Sequence, residues 1–233
     1  MVGLALVVMT GAGPAAADRI WSLILGINVN QLGATGSKTI QYLQPEMVRL
    51  DAFPWDVIEQ QRDQYDWTGP DRAVAWTREN NLKVLGIIQY APGWANGKDF
   101  VTPASGGVCG IPLPDTPASD YNKLRTYPPS DPQSYANFTY NLAKRYPDVL
   151  YWQVWNEPNS AIFWPPAPDA RAYAKLLAVA HASIKRANPR AQIVLGGISL
   201  NDLAYVEELY NAGARQYFDK LAVHLYNPKQ APE

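Results

Sequence analysis

The chain has 233 residues, 47% of them hydrophobic and 12% aromatic, enough for one sizeable core in a single domain and too apolar for a disordered chain. Its 20 Lys and Arg against 21 Asp and Glu give a formal net charge of -1, so no broad positive field exists and nucleic acid is a poor candidate partner. The 8 Trp and 14 Tyr offer flat faces that suit sugar rings, although core and loop anchoring uses most such residues.

The chain opens on an apolar run from Val2 to Met9, then Gly11, Gly13 and Pro14, then Ala15-Ala16-Ala17, an A-x-A cleavage site before Asp18. Residues 1–17 are therefore expected to be a secretory signal peptide, and residues 18–233 one exported domain. The run is too short to span a bilayer, so no membrane association is expected after cleavage. Cys109 is the only cysteine, which rules out an internal disulfide.

From there short apolar runs of strand length alternate with stretches of helical period, the pattern of βα units around a parallel sheet. Six strands are predicted: Leu23 to Asn28, Met47 to Asp51, Val84 to Gln89, Leu150 to Asn156, Ile193 to Gly197 and Leu221 to His224. A helix starting near Pro70 is expected to bury Val74 and Trp76 and to end at Asn80-Asn81. A second begins at Asp131-Pro132, with Tyr135, Phe138 and Leu142 at helical spacing. Asp169 caps a third, which places Tyr173, Leu176, Leu177, Ala180 and Ile184 on one stripe and stops at Asn188-Pro189. His181 falls within it, on the outer layer. The Pro-, Gly-, Ser- and Asp-rich segment from Asn96 to Pro129 interrupts the rhythm and reads as an insertion after the third strand, a βα loop of the kind that sits on the ligand-binding face of parallel βα folds. Asn137-Phe138-Thr139 matches a glycosylation sequon but lies in a predicted helix, and no role is assigned to it.

The stretch that carries chemistry is Tyr151-Trp152-Gln153-Val154-Trp155-Asn156-Glu157-Pro158-Asn159, a strand running into an Asn-Glu pair and stopped by proline. At the C-terminal end of a parallel strand Glu157 faces the ligand side, beside large apolar residues, a setting that favours a protonated carboxyl group and suits a general acid. Asn156 presents a neutral amide that donates to a sugar hydroxyl without disturbing that proton. On these residues alone a loop cap is the lesser alternative.

This motif resembles the clan A glycoside hydrolases, retaining enzymes on (β/α)8 barrels whose acid/base Glu follows an Asn at the end of the fourth strand. Here Trp155-Asn156-Glu157-Pro158 also falls on the fourth predicted strand. Met47-Val48-Arg49-Leu50-Asp51 followed by Trp55 is similar to the clan's second-strand segment, and gives Arg49 the role of hydrogen-bonding the nucleophile. The run from Trp55 to Glu59 and on to Tyr65-Asp66-Trp67 resembles families 39 and 5. Ala222-Val223-His224-Leu225-Tyr226 resembles the sixth-strand His-x-Tyr, whose side chains line the cleft and orient the nucleophile. Gln89 stands near a third-strand position where many relatives carry His, a departure from the pattern. Trp94 and Trp155 are candidate sugar platforms or core residues. Taken singly, Arg49 could pair with Asp51 or Glu46, and His224 could be a core histidine.

The resemblance implies a retaining double displacement on a poly- or oligosaccharide, with two carboxyl groups about 5–5.5 Å apart. Glu157 supplies one. The clan's nucleophile is a Glu ending the seventh strand, and Glu233 lies too near the sixth to be that residue. A full barrel takes about 250 residues before insertions, so the expected fold is an incomplete (β/α)8 barrel lacking strands seven and eight, inactive as it stands. No cofactor is implied. The two histidines, His181 and His224, cannot build a His-rich metal site, and no strand-end Lys offers a Schiff base, which disfavours metal-dependent and lyase barrels. A non-catalytic carbohydrate-binding protein on a degenerate barrel is the other reading. Sugar, linkage, endo or exo action and oligomeric state are left open.

Overall fold

The computed structural model describes residues 26–29, 42–100, 102 and 119–224. The expected signal peptide, Cys109, Tyr226 and most of the insertion lie outside them. Among the described residues the strands β1 (Gly26–Val29), β2 (Met47–Pro54), β3 (Lys83–Gln89), β4 (Tyr151–Asn156), β5 (Gln192–Ser199) and β6 (Val223–His224) form one sheet in the order β1-β2-β3-β4-β5-β6. Every neighbouring pair is parallel. All six predicted strands are present. β2 and β5 run further than their apolar runs foretold, and β6 is shorter.

Parallel neighbours need crossovers, and helices supply them. Between β2 and β3 lie α1 (Trp55–Ile58) and α2 (Thr68–Glu79); between β3 and β4 lie α3 (Gly93–Asn96), α4 (Ser119–Leu124) and α5 (Pro132–Arg145). α6 (Ala170–Ala187) joins β4 to β5, and α7 (Leu203–Asn211) with a short 3-10 turn (Ala214–Tyr217) leads to β6. The cap signals act as expected: the Asp131 side chain accepts from the Gln133 amide, and Asp169 from that of Ala172. The stripes Tyr135, Phe138, Leu142 and Tyr173, Leu176, Leu177, Ala180, Ile184 are buried. Thr139 of the sequon is buried too, its hydroxyl bonded to Ser183 across the α5–α6 contact at 2.6 Å. On α2 one expectation fails: Val74 is buried but Trp76 only half-buried, because Ala73 and Thr77 take the inward positions beside it.

Two apolar clusters result. The larger fills the space between sheet and helices, with Leu50, Phe53, Trp152, Val154 and Leu195 meeting the helix stripes. The smaller, Met47, Leu85 and Val194 with Tyr151 and Ala222 against it, takes one residue each from β2, β3, β4 and β5 and one from just before β6, and none from a helix, so it lies on the opposite face. That face changes character along the strands. Toward their C-terminal ends it carries Asn28, Arg49, Asp51, Gln89, Gln153, Asn156, Glu157 and His224.

Candidate active site

β4 aims the candidate acid. Trp152 faces the helices, its ring edge-on to Phe53, while Gln153 faces the other way and takes the Arg49 Nε bond on Oε1 at 3.1 Å. Strict alternation would send Trp155 inward with Gln153 and turn Asn156 out. Instead Trp155 has a φ of 66°, and its indole turns back among Tyr135 and Trp164 with Nε1 donating to the Phe163 carbonyl at 2.6 Å. Asn156 then lies on the inner face, where its Oδ1 accepts from Arg49 Nη2 at 2.8 Å. Glu157 is left-handed as well, with a φ of 42°. Each such residue without a glycine's freedom costs about 1–2 kcal/mol, a strain concentrated where an amide and a carboxyl must face one way.

Glu157 is 8% exposed, and its Oε1 lies 2.6 Å from Nδ1 of His224, the final residue of β6. The contact that positions it is thus an imidazole, not the apolar wall expected from the sequence. With Nδ1 protonated, the imidazole donates to Oε1 and leaves Oε2 to hold or release a proton. β5, between them, permits this through Gly197, opposite Asn156 in the register: a Cβ there would run into the His224 ring.

The partners of Arg49 include three side-chain oxygens, Asn28 Oδ1 at 3.4 Å joining those of Gln153 and Asn156. Because Arg49 holds the Asn156 oxygen, the amide nitrogen is left as a donor, and it has no partner among the described residues. Glu46, the other acid weighed for Arg49, is ion-paired with Lys83 at 3.6 Å. Next to this group Gln89 Nε2 donates to Asp51 Oδ1 at 2.6 Å. Asn159 ties the loop after β4 to the end of β5, donating to the Ser199 carbonyl and accepting the Ser199 amide, each at 3.0 Å.

Arg49, Asn156, Glu157 and His224 therefore lie together. The candidate platforms do not. Trp155 is 1% exposed and sits in the core, so its indole has no face open to a sugar. Trp94 is half-buried; its Nε1 donates to the Glu59 carbonyl at 2.9 Å, its ring meets Trp55 edge-on and Arg62 covers a face at 4.7 Å. Tyr226 lies outside the described residues. Asn28 and Gln153 escaped the sequence reading, although a polar residue inside an apolar strand run was the signal for both.

Among the described residues no group of three or more His, Cys, Asp or Glu could hold a metal ion, and no helix is long and apolar enough to cross a membrane. A cavity of about 880 Å³ opens at the other end of the sheet, lined by Pro45, Val74, Arg78, Lys83, Asp148 and Tyr151. It lies at the N-terminal ends of the strands, away from Glu157.

No family model matches the sequence, and no curated protein matches it. Solved structures do, and those it resembles are clan A glycoside hydrolases. The chain is similar to a family 39 glycoside hydrolase from Bacteroides cellulosilyticus WH2, with a TM-score of 0.61 and 23% identity over 88% of this chain and 38% of that one. It is similar to a monomeric β-xylosidase from Caulobacter crescentus CB15, with a TM-score of 0.61 and 20% identity over 82% and 38%. It is also similar to the catalytic domain of the GH30 xylanase C from Talaromyces cellulolyticus, with a TM-score of 0.54 and 16% identity over 84% and 50%. At these identities the likeness is one of fold. The chain spans 38% of the length of the first two.

Proposed function

We propose that the chain is the N-terminal part of an exported, retaining glycoside hydrolase on a (β/α)8 barrel, with Glu157 as its acid/base. The observation that carries this reading is Glu157 itself, a buried carboxyl turned by two left-handed residues onto the inner face beyond β4, bonded to His224 and next to an amide that Arg49 orients. The shared fold of the similar hydrolases supports it, as does a parallel sheet whose spatial order follows the chain, the order of a barrel's staves. The strands that close the barrel, and the nucleophilic Glu ending the seventh, are placed beyond Glu233.

In the first step the nucleophile's carboxylate attacks the anomeric carbon while Glu157 gives its proton to the departing glycosidic oxygen. In the second Glu157 removes a proton from water, which attacks the same carbon and frees the sugar with its original configuration. Asn156 Nδ2 is aimed as a donor to a sugar hydroxyl, and His224 keeps the Glu157 carboxyl from rotating away. The similar structures include a β-xylosidase and a xylanase, so aryl β-xylosides and xylo-oligosaccharides are the first substrates to assay.

The test is the anomer first formed by the protein extended past Glu233, followed by proton NMR; retention is expected, with no turnover by the 233-residue chain. Inversion, or turnover by the short chain, would refute the mechanism. An extended sequence with no Glu ending the seventh strand would favour a carbohydrate-binding protein instead. Export predicts a mature N-terminus at Asp18, read by sequencing the secreted protein.

A further inference from the structure

Tyr90 directly follows the last residue of β3 and has a φ of 65°, an unusual conformation for an aromatic residue. What holds it comes from the far end of the insertion. The Arg125 guanidinium lies over the Tyr90 ring, 3.7 Å from its centroid, and the Ala91 amide donates to the Arg125 carbonyl at 2.9 Å. Arg125 is itself 7% exposed and ion-paired at 2.8 Å with the fully buried Asp56, whose second oxygen accepts from the Tyr121 hydroxyl. Asn96 fastens the same corner by donating to the Ala91 and Leu124 carbonyls.

A buried ion pair adds little net stability, and here it leaves Arg125 Nε without a partner among the described residues. What such a pair delivers is a fixed position. One face of the half-buried Tyr90 is thereby covered by a locked cation, while its hydroxyl has no hydrogen-bond partner among the described residues. Tyr90 follows Gln89, whose amide donates to Asp51, so it stands at the same end of the sheet as Glu157.

We infer that Arg125 is a positioning residue which fixes Tyr90 as a sugar-contacting side chain, its hydroxyl donating to a hydroxyl of a neutral sugar ring. The inference rests on the glycoside hydrolase reading above. It gives the insertion a part in recognition, exerted through one residue that its own strand end could not hold in place.

The experiment uses the extended protein with nitrophenyl β-xyloside as the probe, and calorimetric titration of xylobiose as a second readout. Tyr90→Ala is expected to raise KM about 10- to 100-fold with kcat little changed, and Tyr90→Phe about 3- to 10-fold. Arg125→Lys keeps the charge beside Asp56 but loses the planar stack, and raises KM about 3- to 10-fold. In a Tyr90→Ala background Arg125→Lys adds nothing further, because it acts through the ring. Additive effects, or a lowered Tm with KM unmoved, overturn the inference, as does a wild-type protein that neither turns over the xyloside nor binds xylobiose. If Arg125→Lys does not fold, the two Tyr90 variants decide. A Glu157→Gln protein that keeps full activity while KM still follows Tyr90 sinks the acid/base reading alone; a dead Glu157→Gln with indifferent Tyr90 variants sinks this one alone.

Discussion

The two ends of the sheet differ in kind. At the C-terminal ends polar side chains are buried or half-buried and bonded to one another, and the backbone is left-handed at Tyr90, Trp155, Glu157, Leu200 and Asn201. At the N-terminal ends, where Gln44 and Asn81 are left-handed too, the cavity is edged by exposed ion pairs, Arg78 with Asp148 at 2.6 Å and Lys83 with Glu46 at 3.6 Å. A cavity alone would choose the second end. Chemistry chooses the first, because polar groups taken out of water and bonded to one another cost stability, whereas surface pairs cost and contribute little. Where a fold carries such costs, function is the reason to look for.

That contrast is open to attack at both ends. Arg49→Met strips the common donor from Asn28, Gln153 and Asn156, and is expected to lower kcat/KM of the extended protein about 100-fold, since a displacement near 1 Å at a reacting centre has that size of effect. Steady-state kinetics checks it, and unchanged kcat/KM would mean the polar layer is only structural. Gly197→Ala pushes the His224 ring off its seat against β5 and so disturbs Glu157; a stability loss of about 1–3 kcal/mol in denaturant unfolding should accompany a clear fall in kcat. Loss of stability with kcat intact would detach His224 from catalysis.

At the opposite end the expected effects are small. Asp148→Asn should leave kcat and KM alone and cost at most about 1 kcal/mol, because both partners of the Arg78 pair are largely exposed. The sign of its pH dependence is fixed: the Arg78 guanidinium bonded to Asp148 holds this carboxyl below its ordinary range. The pair's contribution is therefore present above the ordinary carboxylate range and lost as pH falls through the lowered value. The Tm gap between wild type and Asp148→Asn should close on acidification; a gap that widens would contradict the assignment, and lost activity would blur the contrast between the ends.

The residues that were legible in the sequence are those whose placement is local. Apolar runs of strand length gave six strands, and Asp131 and Asp169 marked helix starts, since a cap depends on neighbours two or three positions away. Glu157 was legible because a strand followed by Asn-Glu-Pro puts its acid at one end whatever surrounds it. Trp155 was not: strand periodicity assumes extended backbone, and a φ of 66° sends the ring to the wrong face for a sugar platform. The Asp56–Arg125 pair was invisible for another reason, as its partners are brought together by the path of the insertion rather than by any spacing along the chain. Trp94 misled because a strand-end aromatic can be claimed by its own loop, here through the Glu59 carbonyl and Arg62.

The most direct measurement of the role given to Glu157 is the leaving-group dependence of Glu157→Gln in the extended protein. A dinitrophenyl glycoside, whose phenolate departs without protonation, should keep kcat/KM near the wild-type value, while a xylo-oligosaccharide, whose alkoxide needs the proton, should lose about 100- to 10,000-fold. Equal loss on both substrates, or no loss on either, would contradict a proton donor at residue 157.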